Sequence, residues 1–415
     1  GIPRDALQFF PCPDNEIGQG LITAPEVHGV ILTGASETAE LFKSWRPNLA
    51  LFAETSGKNA LIITDTADSD LAIKDLVHSA FGHAGQKCSA ASLALIEANL
   101  YDSPRFLGQL RDAAASLHVG PADDPATFVT PLISEPSPHL LRGLTQLDDD
   151  ESWLLEPRQL GPTLWSPGIR LGVKPGSWIH RTELFGPVLS IIRIESLEEG
   201  LQIQNSSDFG LTGGIHSLDP DEISHWRENV EVGNAYINRA ITGAIVQRQP
   251  FGGWKRSSVG PGAKAGGPNY LTQFSTWEED ALPQHQAEPS AKVNQLLESF
   301  TQDDRLLAAA RNYAYWWQHE FSREHEFETL LGQSNHFRYR PAPELIASNP
   351  SPLMQIAAAT VGTKIVPQST HPLAKELTHD PLANGRLELL HYLHEQSISE
   401  TTHRHGRVSL QSHSS

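Results

Sequence analysis

The sequence has little cysteine, little positive charge and no long apolar run. Its 415 residues include two cysteines, Cys12 and Cys88, which excludes a disulfide framework and makes a reducing cytoplasm the expected compartment. The formal net charge is −18, and phosphate groups would be repelled by such a surface. No apolar run approaches the roughly 20 residues that a membrane span needs. We therefore expect no nucleic-acid partner and no membrane span.

The beginning of the chain also lacks an initiator methionine and a basic-then-apolar signal pattern. Residues 7–10 (Leu-Gln-Phe-Phe) favour a strand that follows directly on the first residues. From these features we expect the chain to begin in the middle of a domain.

Apolar runs and helical patterns alternate along the chain, which is long enough for two or three domains. The predicted strands are residues 27–33, 49–52, 60–63, 93–96, 169–173 and 188–192, and the predicted helices are 36–45, the segment from 68, 103–117 and 196–205. Residues 120–170 are rich in Pro, Gly and Asp and predict loops and edge structure. This alternation predicts an α/β fold with a mainly parallel sheet.

The last third of the chain has a different pattern. Residues 281–290 read as a linker, residues 291–320 as helical, and the last dozen residues, rich in His, Ser and Thr, as a disordered tail. His391 and His394 are spaced as on a helix surface, with no third ligand at a set spacing, so we expect no metal site.

Two residues have settings that suit catalysis. Cys88 lies in a loop after a helix, with small neighbours that let a substrate approach the sulfur, and we expect Lys87 to lower the pKa of its thiol. Glu54 ends an apolar strand before a glycine turn, where open α/β sheets hold their sites. Each residue alone has a simpler interpretation, since most free cysteines are small buried hydrophobic groups and a carboxylate here can cap a turn.

Together, Glu54 and Cys88 are stronger evidence for a catalytic site than either residue alone. Residues 54–59 (Glu-Thr-Ser-Gly-Lys-Asn) precede residues 85–89 (Gly-Gln-Lys-Cys-Ser), and Cys88 follows Glu54 by 34 residues (88 − 54). These signatures and their spacing resemble those of the aldehyde dehydrogenase superfamily. Four further segments resemble its motifs in the same order, at residues 32–36, 183–187, 234–238 and 250–253. The resemblance covers residues 1 to about 277.

This resemblance implies a three-layer α/β fold with a partial Rossmann-type NAD domain, a catalytic domain and an additional C-terminal α/β or helical extension. It implies that Cys88 is the nucleophile and Glu54 the general base. The residues that it assigns to NAD are Gly34 and Ser36 on the adenosine and pyrophosphate side, and Glu183 and Phe185 on the nicotinamide side. Thr55 and Ser56 depart from the family's usual Leu-Gly. The first part of the family's NAD domain, with an oxyanion Asn and a ribose-binding Lys, is also missing, so we expect a fragment that is slow or inactive alone.

Within the superfamily, residues 242–253 and 260–271 resemble the enzymes that oxidise L-glutamate γ-semialdehyde. The resemblance implies that Ser89, Gly243 and Ala244 bind the substrate. It extends to the module that bifunctional proteins fuse to an upstream proline dehydrogenase domain, so any FAD would belong to a domain absent from this chain. Residues 316–341 resemble the extension that helps to cover a tunnel in the longer bifunctional enzymes, and a plain packing domain is the alternative. A homo-oligomer is also expected, with residues 271–274 as part of a returning edge strand.

The predicted organisation has five parts. They are a remnant of the NAD-binding domain (1–56), the catalytic domain (57–256), a returning or oligomerisation segment (257–280), a linker (281–290) and a C-terminal extension with a disordered tail (291–415). Two other functions stay open at this point: a dehydrogenase for another carboxylated semialdehyde, such as succinate semialdehyde, and a non-catalytic scaffolding module.

Overall fold

A computed structural model describes residues 1–279, 281–301, 303–327, 330–377 and 379–401. The α-helices in these ranges are α1 Glu16–Thr23, α2 Ser36–Trp45, α3 Ser69–Phe81, α4 Ala98–Tyr101, α5 Pro104–Ala115, α6 Pro138–Thr145, α7 Trp178–Arg181, α8 Leu197–Asn205, α9 Pro220–Asn229, α10 Ala291–Glu298, α11 Asp304–Trp316, α12 Pro352–Val361 and α13 Gly385–Glu388. The strands are β1 Val30–Thr33, β2 Leu51–Glu54, β3 Asn59–Ile63, β4 Ala91–Glu97, β5 Ser152–Leu155, β6 Gly168–Leu171, β7 Val188–Ile194, β8 Phe209–Gly210, β9 Thr212–His216, β10 Asn234–Ile237, β11 Trp254–Lys255, β12 Ser258–Val259, β13 His325–Glu326, β14 Gln333–Pro341, β15 Glu344–Ile346, β16 Lys364–Val366, β17 Lys375–Glu376 and β18 Leu393–Thr401.

A central sheet dominates the described part of the chain, with the strand order β13-β14-β18-β10-β9-β3-β4-β7-β6-β5. From β18 to β6 neighbouring strands run parallel, whereas β5 and the β13-β14 pair are antiparallel additions at the two edges. All five residues of β3 are buried, as in a parallel sheet that is covered on both faces. The predicted α/β fold with a mainly parallel sheet is confirmed.

Helices cover both faces of this sheet. The chain moves along the sheet in one direction from β3 through α3 to β4, and in the opposite direction from β7 through α8 to β9. Because such crossovers are right-handed, α3 and α8 lie on opposite faces. The sheet and its helices therefore form three layers around one apolar core.

Helix α3 leads directly to the loop that carries Cys88. The carboxylate of Asp68 accepts a hydrogen bond from the backbone N–H of Leu71 and caps the start of the helix. The helix ends at Phe81 and is followed by a 3-10 turn, Gly82–Gly85, in which His83 and Ala84 have φ values of 57° and 54°. This left-handed turn stops the helix and redirects the chain.

The N-terminal region forms a separate three-stranded sheet, β1-β2-β12, with a small apolar core. The strand predicted at residues 7–10 is wrong, because this segment has no regular structure and Phe9 is 93% exposed. An apolar run forms a strand only where a neighbouring strand supplies hydrogen bonds, and the described chain places none beside it.

The C-terminal extension has its own core and also extends the central sheet. Strand β14 pairs antiparallel with β18, which pairs in parallel with β10. The helical segment predicted at 291–320 is divided into α10, α11 and a π-helical turn at Trp317–Phe321. The disordered tail predicted for the last dozen residues lies outside the described residues.

Two more expectations about local structure are corrected. Residues 271–274 belong to a 3-10 helix, Tyr270–Phe274, and do not form an edge strand. The region 120–170, expected to be loops and edge structure, contains α6 besides the edge strand β5. In the described ranges no helix is long and apolar enough to cross a membrane, and no group of three or more His, Cys, Asp or Glu side chains is placed to hold a metal ion.

Candidate active site

The loop that carries Cys88 is fixed to strand β3. The side-chain amide of Asn59, the first residue of β3, donates hydrogen bonds to the carbonyls of Cys88 (2.7 Å) and Ala90 (2.9 Å). A Cβ atom at Gly57 would lie only 2.7 Å from the Cys88 carbonyl oxygen, so this close approach requires glycine. Residues 54–59 and the thiol loop are therefore packed against each other, as the paired signatures predict.

Glu54 stands at the end of β2 beside this contact. Its carboxylate accepts a hydrogen bond of 2.8 Å from the backbone N–H of Gly253. The residue as a whole is half-buried, but its carboxylate is enclosed, and this burial raises the pKa of Glu54 to about 8 against the opposing effects of Lys264, Gly253 and Ser258. A carboxylate with such a pKa is suited to accept a proton near neutral pH.

The Cys88 thiol does not have the lowered pKa that the sequence predicted. Burial raises the pKa of Cys88 above its usual value, and the negative charges of Glu183 and Glu54 raise it further. Hydrogen bonds from the backbone N–H groups of Ser89 and Cys88 act in the opposite direction but do not offset the rise. The expectation for Lys87 is therefore wrong: the thiol is held protonated and needs a base to take its proton.

Glu183 contacts the glycine turn within residues 54–59. Its carboxylate accepts a hydrogen bond of 3.0 Å from the backbone N–H of Gly57, and burial raises its pKa. The Ser56 hydroxyl also bonds to it, so the departure from the family pattern at this position adds a contact to Glu183. The neighbouring Lys58 is buried, and this burial lowers the pKa of its ammonium group to about 7 although Glu183 favours the charged form.

Phe185 is held next to the thiol loop in an unusual conformation. Its φ is 52°, its side chain is 39% exposed, and its carbonyl accepts a hydrogen bond from the Gln86 side chain. A Cβ atom at Gly85 would lie 2.3 Å from the Gly186 carbonyl oxygen, so the two loops touch through glycine. An exposed aromatic ring in a constrained backbone, beside a carboxylate, fits the flat ring and ribose of a nicotinamide nucleotide.

Gly34 and Ser36 lie at the start of α2, and the Gly34 N–H bonds to the Glu54 carbonyl. Ala35, which precedes the helix, makes no side-chain cap, a feature that favours an anion at this end. The Ser36 N–H, however, is already bonded to the Ser56 hydroxyl at 3.3 Å, and Glu37 adds a negative charge in the first turn. The helix start therefore fits a phosphate group less well than the resemblance implies.

Gly243 and Ala244 lie in the loop between β10 and β11, where Gly243 has a φ of 81°. Thr242 of the same loop lines a cavity of about 210 Å³ with His83, Lys87 and Phe128, beside the thiol loop. Ser89 is buried, and its carbonyl accepts a hydrogen bond from Thr212. The cavity is therefore shared by Thr242, the neighbour of Gly243, and by Lys87, the neighbour of Cys88.

Sequence reasoning missed three residues that shape this site: Asn59, Lys264 and Glu395. Asn59 ends the signature at residues 54–59, but the sequence alone gives no role to its side-chain amide. Lys264 lies in the recognised segment 260–271. Glu395 lies in the extension, 131 residues beyond Lys264, and no sequence pattern connects the two.

The sequence model of the aldehyde dehydrogenase family matches residues 1–279. The chain belongs to the aldehyde dehydrogenase family, and its family fold is thereby confirmed. The chain is 34% identical over 282 residues to a protein of Bacillus subtilis (strain 168) named 1-pyrroline-5-carboxylate dehydrogenase, covering 65% of this chain and 54% of that protein. The chain thus spans about half the length of the curated relatives it matches.

Solved structures give the same assignment. Proline utilization A (PutA) from Corynebacterium freiburgense is similar with a TM-score of 0.88 and 47% identity, over 94% of this chain and 44% of that one. 1-Pyrroline-5-carboxylate dehydrogenase from Thermus, solved with bound NAD, has a TM-score of 0.61 and 34% identity, over 66% of this chain and 54% of that one. The predicted resemblance to this branch of the family is confirmed.

Proposed function

We propose that this chain forms the catalytic part of an NAD-dependent dehydrogenase that oxidises L-glutamate γ-semialdehyde to L-glutamate, the second step of proline breakdown. The observation that carries the proposal is the contact between residues 54–59 and the thiol loop, which brings Glu54 and Cys88 to one site. The relatives named 1-pyrroline-5-carboxylate dehydrogenase and PutA support the substrate. A reducing cytoplasm suits the proposal, because the mechanism needs Cys88 as a free thiol.

In this mechanism the Cys88 sulfur bonds to the aldehyde carbon while the thiol proton passes through water to the carbonyl oxygen, which gives a thiohemiacetal. NAD held by Glu183 and Phe185 would supply the hydride acceptor for that carbon. With the hydride removed and the hydroxyl proton released to water, an acyl thioester remains on Cys88. Glu54 then takes a proton from water, the water oxygen bonds to the thioester carbon, and the C–S bond breaks with its electron pair returning to sulfur. The backbone N–H groups of Cys88 and Ser89, which bond the sulfur, stabilise the thiolate that leaves.

The proposed cofactor and substrate contacts rest mainly on the resemblance of these segments to the family. We propose that Glu183 and Phe185 hold the nicotinamide side of NAD. Gly34 and Ser36 would lie near its adenosine and pyrophosphate side, without the Ser36 N–H, which is bonded to Ser56, binding a phosphate group. Gly243 and Ala244 would offer backbone N–H groups to the substrate carboxylate, with Ser89 nearby. The positive φ of Gly243 and the cavity beside Thr242 support this assignment.

We also propose that further polypeptide completes the NAD platform. Several large apolar side chains of the N-terminal region are exposed, including Ile2, Phe9, Phe10 and Ile31, and such surfaces normally pack against protein. A longer chain with an upstream proline dehydrogenase domain, where any FAD would bind, is supported by the PutA likeness, which covers 44% of the PutA chain. Assembly into a homo-oligomer and the five-part division of the chain remain proposals of the same kind.

An activated ester tests the thiol chemistry without NAD. Wild-type chain, Glu54→Gln and Cys88→Ala are treated with p-nitrophenyl acetate, and the acetylated peptides are identified by mass spectrometry. We expect acetyl-Cys88 to accumulate in Glu54→Gln and to turn over in the wild type. Cys12 is the internal control, since both cysteines are free and neither residue is fully buried. Label on Cys12 equal to that on Cys88 would contradict the proposal and favour a scaffolding module.

The substrate is tested in a polypeptide that supplies the remaining half of the relatives' length. NADH formation is compared with glutamate and succinate semialdehydes, and we expect a higher kcat/KM for the former. A preference for succinate semialdehyde would overturn the substrate assignment, and full activity in Cys88→Ala would overturn the nucleophile.

A further inference from the structure

Two buried charged residues close to Glu54 have no role in the mechanism above. Lys264 follows the glycine motif 250–253 and is 1% exposed, and Glu395 lies on β18 of the C-terminal extension and is 5% exposed. The backbone N–H of Lys264 donates a hydrogen bond of 2.9 Å to Glu395 Oε2. Burying two charges is costly unless they are paired, so this arrangement calls for an explanation.

The Lys264 side chain faces Glu54 across Gly252. Its ammonium group donates to the carbonyl of Gly252 and, at 3.1 Å, to Asn234 Oδ1. A Cβ atom at Gly252 would lie 2.9 Å from Glu54 Oε1 and 3.2 Å from Lys264 Cγ. The absence of a side chain at Gly252 therefore leaves room for the Glu54 carboxylate and the Lys264 side chain to lie next to the same point.

Glu395 is fixed from the extension side. Its Oε1 accepts a hydrogen bond of 2.7 Å from the Asn269 side chain, and its carbonyl accepts one of 2.7 Å from the Trp254 indole. Strand β18 pairs in parallel with β10, and the first residue of β10 is Asn234, the partner of the Lys264 ammonium. One strand of the extension thus secures both the carboxylate and the neighbouring strand that hold Lys264.

We propose that Lys264 and Glu395 are positioning residues for Glu54: β18 supplies the carboxylate that fixes Lys264, and Lys264 supplies the positive charge that favours the ionised form of Glu54 when water adds to the acyl-Cys88 thioester. This inference rests on the proposed function. It gives the C-terminal extension a part in the hydrolytic step that is separate from packing.

The charges around the pair act in both directions. Burial raises the pKa of Glu54 and the negative charge of Glu395 raises it slightly further, whereas the Lys264 ammonium opposes that rise and is the largest of the opposing effects. Burial lowers the pKa of Lys264, and both Glu54 and Glu395 oppose that fall. The charged and titratable groups that face these three residues from neighbouring elements are Cys88, Tyr339 and Lys375.

The experiment compares Lys264→Met and Glu395→Gln with the wild type in the full chain. Glu388→Gln is the matched control, because Glu388 is also a fully buried glutamate of the extension, but it bonds to Tyr392 and to the backbone of Leu382. Burst amplitude with p-nitrophenyl acetate reports whether Cys88 is intact, and the pH dependence of acyl-enzyme hydrolysis reports on Glu54. Difference infrared spectra against Glu54→Gln follow the Glu54 carboxyl directly.

Both test variants should keep the burst amplitude and slow hydrolysis at pH 7 by about tenfold or more. Removal of Lys264 takes away the charge that lowers the Glu54 pKa, so the midpoint of hydrolysis shifts to higher pH. In Glu395→Gln the lysine loses the charge that keeps it protonated, so the midpoint also shifts upward. Glu388→Gln should match the wild type.

Two results would overturn the inference. If Glu395 acted on Glu54 only as a nearby negative charge, its removal would shift the midpoint to lower pH. If both variants behaved like Glu388→Gln, the contact would be structural. A wild type without any Cys88 acylation would instead contradict the proposed function, and the infrared titration of Glu54 would still test the effect of Lys264 and Glu395 on its carboxyl.

Discussion

The two regions that flank the central sheet are built differently. The N-terminal region has a core of four buried apolar residues, Ala39, Leu49, Leu51 and Ala53, and leaves Phe9 93% exposed. The C-terminal extension has a larger core of its own and adds β14 and β18 to the central sheet. Both regions nevertheless reach the candidate site, since Glu54 ends β2 and Glu395 lies on β18.

The difference indicates that the two regions contribute unequally to the stability of the fold and to the reaction. The candidate base comes from the weakly packed region, whereas the residue that we propose to control it comes from the firmly packed one. We therefore expect substitutions in the N-terminal region to change the reaction more than the stability of the fold. Substitutions in the C-terminal extension should change both.

The largest effect should come from Glu54. Replacement by Gln keeps the size of the side chain but removes the proton acceptor, so hydrolysis of acyl-Cys88 should fall by roughly 10²–10⁴-fold. The rate of deacetylation after a p-nitrophenyl acetate burst measures this. A decrease smaller than about tenfold would show that the N-terminal region does not supply the base.

A core residue of the extension should have the next largest effect, this time on folding. Phe337 is 1% exposed and packs on Phe327 and Tyr339, so Phe337→Ala should lower the free energy of unfolding by about 3–5 kcal/mol. Urea denaturation followed by tryptophan fluorescence is the measurement. An unchanged midpoint would mean that the extension packs less firmly than the structure shows.

The third effect concerns pH. Glu54 must be ionised to accept a proton, and its raised pKa of about 8 means that it is mostly protonated at pH 6. Hydrolysis should therefore increase about tenfold per pH unit up to about pH 8 and level off above it. A stopped-flow pH profile checks this, and a midpoint near the model-peptide value for glutamate would contradict the enclosed carboxylate.

The smallest effect should come from the exposed apolar side chains. In the isolated chain, Phe9→Ala should change the free energy of unfolding by no more than about 0.5 kcal/mol, because Phe9 loses no buried contact. The same urea measurement compares it with Phe337→Ala. A large loss in Phe9→Ala would mean that this segment packs against the chain in solution and would remove the contrast between the two regions.

The sequence predicted the elements whose signals are local. The helical period around α3, the apolar run of β3 and the motifs around Glu54 and Cys88 each lie within a short window, and the structure has them where expected. The family fold followed from the order of those motifs.

The errors concern features that depend on distant partners. Residues 7–10 are apolar but have no strand to pair with, and the 3-10 helix Tyr270–Phe274 replaces a predicted strand. The pKa of Cys88 is raised by burial and then by carboxylates on other segments, against the lowering that its neighbour Lys87 predicted. Similarly, the contact of Glu395 with Lys264 exists only because the extension folds back onto the sheet.

The pairing of β18 with β10 also has a consequence for synthesis. The Gln396 side chain bonds to the Val232 carbonyl, 164 residues earlier in the chain. At a synthesis rate of about 5–20 residues per second, the edge of β10 therefore stays unpaired for roughly 8–30 seconds before β18 is made. An open strand edge can pair with another chain, so a nascent polypeptide of this design passes through an aggregation-prone stage before its last strand emerges.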